Sequence, residues 1–285
     1  MFNLRNQNNP KMTFDISKLR RWSLPLMTMV MFTTCELPVD WELKPGENGK
    51  LVIEAIITNE QKAQEVKLSL SYNDFNEKPV PVSEAVVRFY DGQNVVEFVE
   101  DSMEPGTFRS VVPIVLTYFT DYSLEVFYKG EQHMATSYMV PVLPFQPLTF
   151  QQIGETDSLR IKEVANIYGL VQQAMYEIDI NWSHITNADS SKAKVFYYTF
   201  TTVDAGQIFS PPKEDVIFPR GSIVVEKKYS LNEDFAEFMR ALVLETQWQG
   251  GVYEDDSGSL PTNFSNGALG FFGLCAVKAD TLIAQ

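Results

Sequence analysis

Cys35 is the residue whose surroundings point most directly to chemistry. It closes the run Lys18-Leu-Arg-Arg21-Trp22-Ser-Leu-Pro-Leu-Met-Thr-Met-Val-Met-Phe-Thr-Thr-Cys35, in which a cluster of cations and a tryptophan precede twelve uncharged residues, Ser23 to Thr34. A basic segment, a short apolar segment, small residues and then a thiol is the order of an export signal cut just before the cysteine. A cysteine freed at a new N-terminus can take diacylglyceryl and acyl chains, and each buried methylene adds about 0.8 kcal/mol of membrane affinity. Lipidation of Cys35 is therefore the expectation. The run is too short for a spanning helix, which needs about 20 apolar residues, and Glu36, Asp40 and Glu42 follow at once. The box Phe32-Thr33-Thr34-Cys35 is looser than the common Leu-Ala-Gly-Cys form. Two other readings stand beside it: a plain signal peptide with an incidental or buried cysteine, and a soluble cytosolic protein. Met12 is the more natural start, since it puts the cations close to the terminus.

The other reactive side chains form no recognisable constellation. His133 and His184 are the two histidines, far apart in sequence. No Cys/His grouping has metal-ligand spacing, and there is no G-x-S-x-G elbow, phosphate loop or H-E-x-x-H. No catalytic, cofactor-binding or metal-ligating residue is therefore assigned, and no cofactor is expected. His133 is expected to be an exposed strand residue. Cys275 lies in an apolar run and is expected to be a small buried hydrophobe. With Cys35 lipidated it has no disulfide partner. Glu254-Asp255-Asp256 could attract a cation, but it lacks the alternating oxygen ligands and the glycine of a calcium loop, so a solvated acidic turn is expected. Glycosidases need two carboxylates held a few ångströms apart, and 36 acids in residues 35–285 leave the choice of a pair open. Tyr197, Tyr198 and Phe272 could stack on a sugar or meet a partner, although core filling is the expectation.

The elements that must carry these residues are mostly strands. Leu51, Ile53, Ala55 and Ile57 alternate with Val52, Glu54 and Ile56, and Val66, Leu68, Leu70 and Tyr72 repeat the pattern. Further strands are expected over 85–90, 94–99, 108–113, 122–128 and 133–140. Period-two alternation buries one face and wets the other. Asp91-Gly92, Pro105-Gly106 and Lys129-Gly130 mark turns. This predicts an immunoglobulin- or transthyretin-like β-sandwich over residues 49–143. It follows a signal peptide at 1–34 and a polar tether at 35–48. Pro141, Pro144 and Pro147 mark the boundary to a second β-rich domain at 144–285, with strands near 176–182, 193–202, 223–229 and 268–277. One amphipathic helix is predicted near 231–248. Ser230 with Glu233 reads as its capping box, Leu231, Phe235, Phe238, Met239 and Leu242 form its apolar stripe, and Gly250-Gly251 would end it. The fold class is mainly β.

Composition narrows the function further. Residues 1–34 hold five cations and one anion, so residues 35–285 carry 18 cations against 36 anions, a formal charge of −18. Such a surface repels phosphate backbones, and no nucleic-acid partner is expected.

Taken in order, the lipobox, Lys50-Leu-Val-Ile-Glu-Ala-Ile-Ile-Thr58, Pro81-Val-Ser-Glu-Ala-Val86, Leu242–Gln249, Gly250-Gly251-Val-Tyr253 and Asn266-Gly267-Ala-Leu-Gly-Phe-Phe-Gly273 resemble one family. It is the domain-of-unknown-function 4249 family of Bacteroidota outer-membrane lipoproteins. Asp256-Ser-Gly-Ser-Leu-Pro261-Thr-Asn263 departs from the family's Pro-x-x-Val-x-Gly-Asn pattern. The resemblance implies a lipoprotein anchored in the outer membrane, on its periplasmic or surface face, beside a TonB-dependent outer-membrane barrel. It brings no catalytic residues. Scattered acids after Cys35 resemble surface-export signals of that group. Asp101-Ser102-Met103, Asp157-Ser158-Leu159 and Asp280-Thr281-Leu282 resemble its short O-glycosylation motif. The expected function is non-enzymatic: a lipid-anchored binding or accessory protein of the cell envelope. The alternative is a surface hydrolase acting on glycan or peptide through unidentified carboxylates.

Overall fold

Alternation in the sequence becomes alternation in burial. In β1 (Leu51–Thr58) Leu51, Ile53, Ala55 and Ile57 are buried while Glu54 and Ile56 face solvent. The computed structural model describes residues 49–72, 78–144, 147–164, 172–185, 191–201, 215–247 and 260–285. Cys35, the acidic run 254–256 and the glycines at 250–251 lie outside the described residues.

β1 is followed by β2 (Glu65–Leu70), β3 (Val80–Pro81), β4 (Val86–Tyr90), β5 (Val95–Glu100), β6 (Thr107–Ser110), β7 (Asp121–Tyr128) and β8 (Glu131–Tyr138). β7 and β8 form a tight hairpin. Its turn residues Lys129 and Gly130 both have positive φ (49° and 87°), as a two-residue turn between twisted strands requires. With β15 (Leu269–Cys275) these strands build one sheet of order β15-β1-β2-β6-β5-β4-β7-β8, and β3 pairs β2 to the side. The sheet folds back until its ends meet. The N–H of Ser265, just ahead of β15, donates to the Met134 carbonyl of β8 at 2.9 Å, and the Met134 N–H donates to Ser265 Oγ at 2.9 Å. The enclosed core joins Ile53, Leu68, Phe89, Phe108, Leu124, Val126 and Phe272. This is a β-sandwich of the expected class, with one strand added from far along the chain.

The remaining strands are β9 (Thr149–Gln152), β10 (Ser158–Glu163), β11 (Ala174–Asn181), β12 (Lys192–Thr199), β13 (Phe218–Pro219), β14 (Ile223–Ser230) and β16 (Val277–Ile283). β12-β11-β14-β16 is a four-stranded antiparallel sheet and β13-β10-β9 a three-stranded one. Leu148, Leu159 and Phe218 from the short sheet pack on Ile178, Ile180, Val195 and Val224 of the longer one.

Two expectations are corrected. Residues 268–277 do not form one strand of the second domain: Leu269–Cys275 pairs in parallel with β1, while Val277–Ile283 pairs with β14. The reason is visible in the burial of Phe271, Phe272, Leu274 and Cys275, which leaves both faces of β15 apolar and in need of cover. Phe272 and Leu274 enter the first core; Phe271 and Cys275 enter a second core with Phe235 and Met239. Shared in this way, the strands all fall within one compact unit, Pro45–Gln285.

The second correction concerns the helix. α1 (Glu233–Gln247) lies where it was expected, but Asn232 caps it: its Oδ1 accepts the Phe235 N–H at 2.9 Å. Ser230 is the last residue of β14, so its hydroxyl is committed elsewhere: it donates to the Val140 carbonyl at 2.6 Å and accepts the Ala276 N–H at 2.9 Å. Among the described residues no helix is long and apolar enough to cross a membrane.

Candidate functional site

Of the side chains singled out by sequence, Cys275 lies where expected. It is fully buried and unpaired in β15, and burial pushes its thiol well above the ordinary range. His133 does not. It is 4% exposed, because its row on β8 also carries buried Ala135 and Ser137 and turns toward the core. Its Nδ1 stands 3.2 Å from the Ser265 carbonyl oxygen, so it helps close the sheet. His184 is exposed, with Nε2 3.1 Å from the Gly221 carbonyl oxygen. Phe272 is buried in the first core. Tyr197 and Tyr198 are half-buried on opposite faces of β12, one against each of the two C-terminal cores.

The glycine–aromatic strand has a physical explanation. At Gly270 (φ 91°) a Cβ would stand 2.1 Å from the Ile53 carbonyl oxygen, so β15 approaches β1 only as glycine. At Gly273 a Cβ would fall 2.6 Å from the Phe235 ring. That space lets Phe235 and Phe238 of α1 stack on Phe271, with ring centroids 5.3 and 4.8 Å away. Asn263 completes the strand, accepting the Phe272 N–H and donating to its carbonyl, both at 2.9 Å.

The strongest concentration of unusual chemistry lies on β14, where sequence reading placed nothing. Its inward row is Val224, Glu226, Lys228 and Ser230, all buried. Cross-strand neighbours of Glu226 are Ile178 of β11 and Asp280 of β16; those of Lys228 are Tyr176 and Lys278. Lys228 Nζ donates to the Leu143 carbonyl at 3.2 Å and lies 5.6 Å from the centre of the Tyr176 ring. The same chain segment is held by Gln172, whose Nε2 donates to the Pro141 carbonyl at 2.6 Å and whose Oε1 accepts the Leu143 N–H at 2.8 Å. Glu226 has no exposed surface, and neither carboxylate oxygen has a hydrogen-bond partner. Burial, with Asp280 adding to it and Lys228 opposing it, pushes its carboxyl up to about 7. Burial likewise lowers the Lys228 ammonium, and Glu226 opposes that shift. Burial, then the nearby Glu226 carboxylate, pushes the Tyr176 phenol up to about 12. Sequence holds no signal for this row: the apolar Ile223, Val225 and Tyr229 fall in one phase of the strand, and Glu226, Lys228 and Ser230 fall in the other, which is the buried one.

Among the described residues the other buried polar side chains have hydrogen-bond partners. On the outer face Glu177 accepts from Lys194 Nζ at 2.7 Å and from the Tyr229 hydroxyl at 3.1 Å. Burial would raise its carboxyl, but these partners hold it below the usual carboxylate range. On the first sheet Glu125 accepts from the Tyr90 hydroxyl at 2.6 Å and from Gln132, and is held low chiefly by Tyr90. Arg109 is shared among Glu65, Asp101 and Glu104. Among the described residues no three His, Cys, Asp or Glu side chains are grouped to hold a metal. Glu226 and Asp280 are cross-strand neighbours on β14 and β16. A carboxyl with no exposed surface cannot reach a substrate bond in this conformation.

Comparison with known proteins gives a family and no activity. The family model described as Domain of unknown function (DUF4249) matches residues 36–281. No curated protein matches the chain. Among solved structures, the FN1–FN3 domains of chicken CNTN1 are similar at 11% identity, over 63% of this chain and 60% of that one, with a TM-score of 0.26. The chain thus spans about 60% of the length of the structure it matches.

Proposed function

The chain belongs to the family of Domain of unknown function (DUF4249), and from that premise we propose that it is a lipid-anchored binding or accessory protein of the cell envelope. The observation that carries the reading is one of order. The family match begins at residue 36, directly behind Cys35, and the cations and apolar run of a signal stand directly ahead of it. Residues 36–48 then supply a tether of at most about 45 Å, at roughly 3.3–3.6 Å per residue, before β1 begins at Leu51. In this reading Cys35 carries the acyl chains, the outer membrane is the host, and a TonB-dependent barrel is the partner.

The reading is non-enzymatic. Support comes from the hydrogen-bonded polar side chains and from the enclosure of Glu226; the fold itself gives none, since β-sandwiches serve many activities.

The test has two parts. Cells expressing the whole chain are fed an alkyne fatty acid and fractionated. The label is expected on the wild-type protein in the outer-membrane fraction, and Cys35→Ala is expected to lose both label and membrane association. An acylated Cys35→Ala protein would end the anchor assignment. Mild-detergent capture of the wild-type protein is then expected to recover an outer-membrane barrel; recovery of none would remove the accessory role and leave the anchor standing.

A further inference from the structure

We propose that Lys228 is a two-position latch set by the protonation of Glu226: with Glu226 neutral it clamps the chain segment at Leu143, and with Glu226 ionised it leaves that segment for the carboxylate. The geometry has three parts. Glu226 and Lys228 are alternate residues of β14 on one buried face, about 7 Å apart at the backbone for a strand rising about 3.3 Å per residue. Lys228 is bound at 3.2 Å to the Leu143 carbonyl, in the segment that joins the two sheet systems. Glu226 is fully enclosed, and both its oxygens lack a donor.

A neutral carboxyl tolerates this setting. A carboxylate does not, because an unpaired buried charge is strongly destabilising. Every group facing Glu226 can be checked as a donor. β11 presents Ile178, which has no donor, and beside it Tyr176, whose cross-strand partner is Lys228. β16 presents Asp280, which repels a second negative charge, and Lys278 one pair further on. The short sheet contributes the apolar side chains Leu148 and Leu159. On β14 itself the cation is Lys228. An ammonium bonded to a carboxylate gains the attraction of opposite charges and relieves the unpaired buried charge, neither of which the Leu143 carbonyl offers, so ionisation draws Lys228 from Leu143 to Glu226. Ser230 at Val140 and Gln172 at Pro141 keep the rest of the segment in place. The release is thus local to Leu143, and loss of Lys228 unpins the Leu143 carbonyl, so the solvent-exposed Leu143–Gln172 bond opens more often.

Amide hydrogen exchange on the purified chain reads this directly, because the Leu143 N–H is itself bonded to Gln172. After correction for intrinsic exchange, protection at Leu143 is expected to fall about tenfold between pH 5 and pH 9, with little change at the core strand β1. Glu226→Gln is expected to keep the high protection across that range. Asp280→Asn, at an exposed position, is expected to move the transition to lower pH because it removes a repelling charge. Lys228→Met is expected to show low protection at every pH. The latch is overturned if Glu226→Gln loses protection as the wild type does, if the wild type shows no transition, or if Asp280→Asn leaves the transition where it was.

Discussion

Gly270 lies against Ile53 with no room for a side chain: a Cβ on Gly270 would stand 2.1 Å from the Ile53 carbonyl oxygen. This close pass lets β15 dock in parallel on β1 although more than 200 residues separate them in sequence. Gly270→Ala would have to push the strands apart and hold an alanine at φ 91°, a conformation that alone costs about 1–2 kcal/mol. The expected loss of stability is at least about 3 kcal/mol. Gly267 has a similar φ of 71° and open space where its Cβ would point. Gly267→Ala is therefore expected to cost only about 1 kcal/mol. Urea unfolding of the two variants separates close approach from backbone conformation; equal losses would refute the packing account.

Asn232 joins α1 to the first sheet. Its Oδ1 caps the helix, and its Nδ2 donates to the Tyr138 carbonyl at 2.7 Å and to Ser137 Oγ at 3.2 Å. Losing a cap costs about 1 kcal/mol, and leaving buried acceptors without a donor costs about 1–3 kcal/mol. Asn232→Ala is expected to lose about 2–3 kcal/mol in chemical denaturation. Asn232→Asp, which keeps the capping oxygen and loses the donor, is expected to recover only the capping part.

How much of this was legible in sequence depends on whether a residue answers to its neighbours or to distant chain. The strands β1 and β7 follow from their own alternation, β14 from its run of β-branched residues, and α1 from its apolar stripe. β9, β10 and β13 were not foreseen, since they are short and become strands by covering Ile178 and Val224. Ser230 looked like a cap because a hydroxyl three residues before Glu233 usually is one. That reading fails because Val140 and Ala276, both remote in sequence, claim the hydroxyl first. His133 was read as exposed because alternation does not say which phase of an edge strand is inward; the Ser265 loop decides that. Glu226 escaped notice for the related reason that charge in a strand ordinarily means solvent.

Stability is expected to have a ceiling on its alkaline side. Glu226 has its carboxyl raised by burial, from about 4.5 to about 7. Its contribution is fully present below the unfolded value and is lost as pH rises through the folded one. Complete loss corresponds to about 3 kcal/mol, at 1.36 kcal/mol per unit. Glu125 and Glu177 are shifted the opposite way, held low by Tyr90 and by Lys194 with Tyr229 respectively. Their contributions are present above the ordinary carboxylate range and disappear as pH falls. Urea midpoints should therefore peak near pH 4.5 and fall as pH rises toward 7. Glu226→Gln should flatten the upper limb and leave the lower one unchanged, and a variant that keeps the upper limb would move its origin to another group.

Cys275 offers a direct reading of whether β15 stays docked. Its thiol is fully enclosed in the core that also holds Tyr229, Phe235 and Met239, and burial keeps it protonated at neutral pH. The thiolate is the reactive form, so both access and ionisation oppose modification. A chain carrying Cys35→Ala has Cys275 as its single cysteine. It is expected to resist a maleimide under native conditions and to react fully in denaturant. Introducing Gly273→Ala, which drives a Cβ to within 2.6 Å of the Phe235 ring, is expected to loosen α1 from β15 and to raise the native labelling rate at least about tenfold, the factor that a 1.4 kcal/mol change in local opening produces. Labelling at the same slow rate in both chains would show that helix contact does not guard the strand.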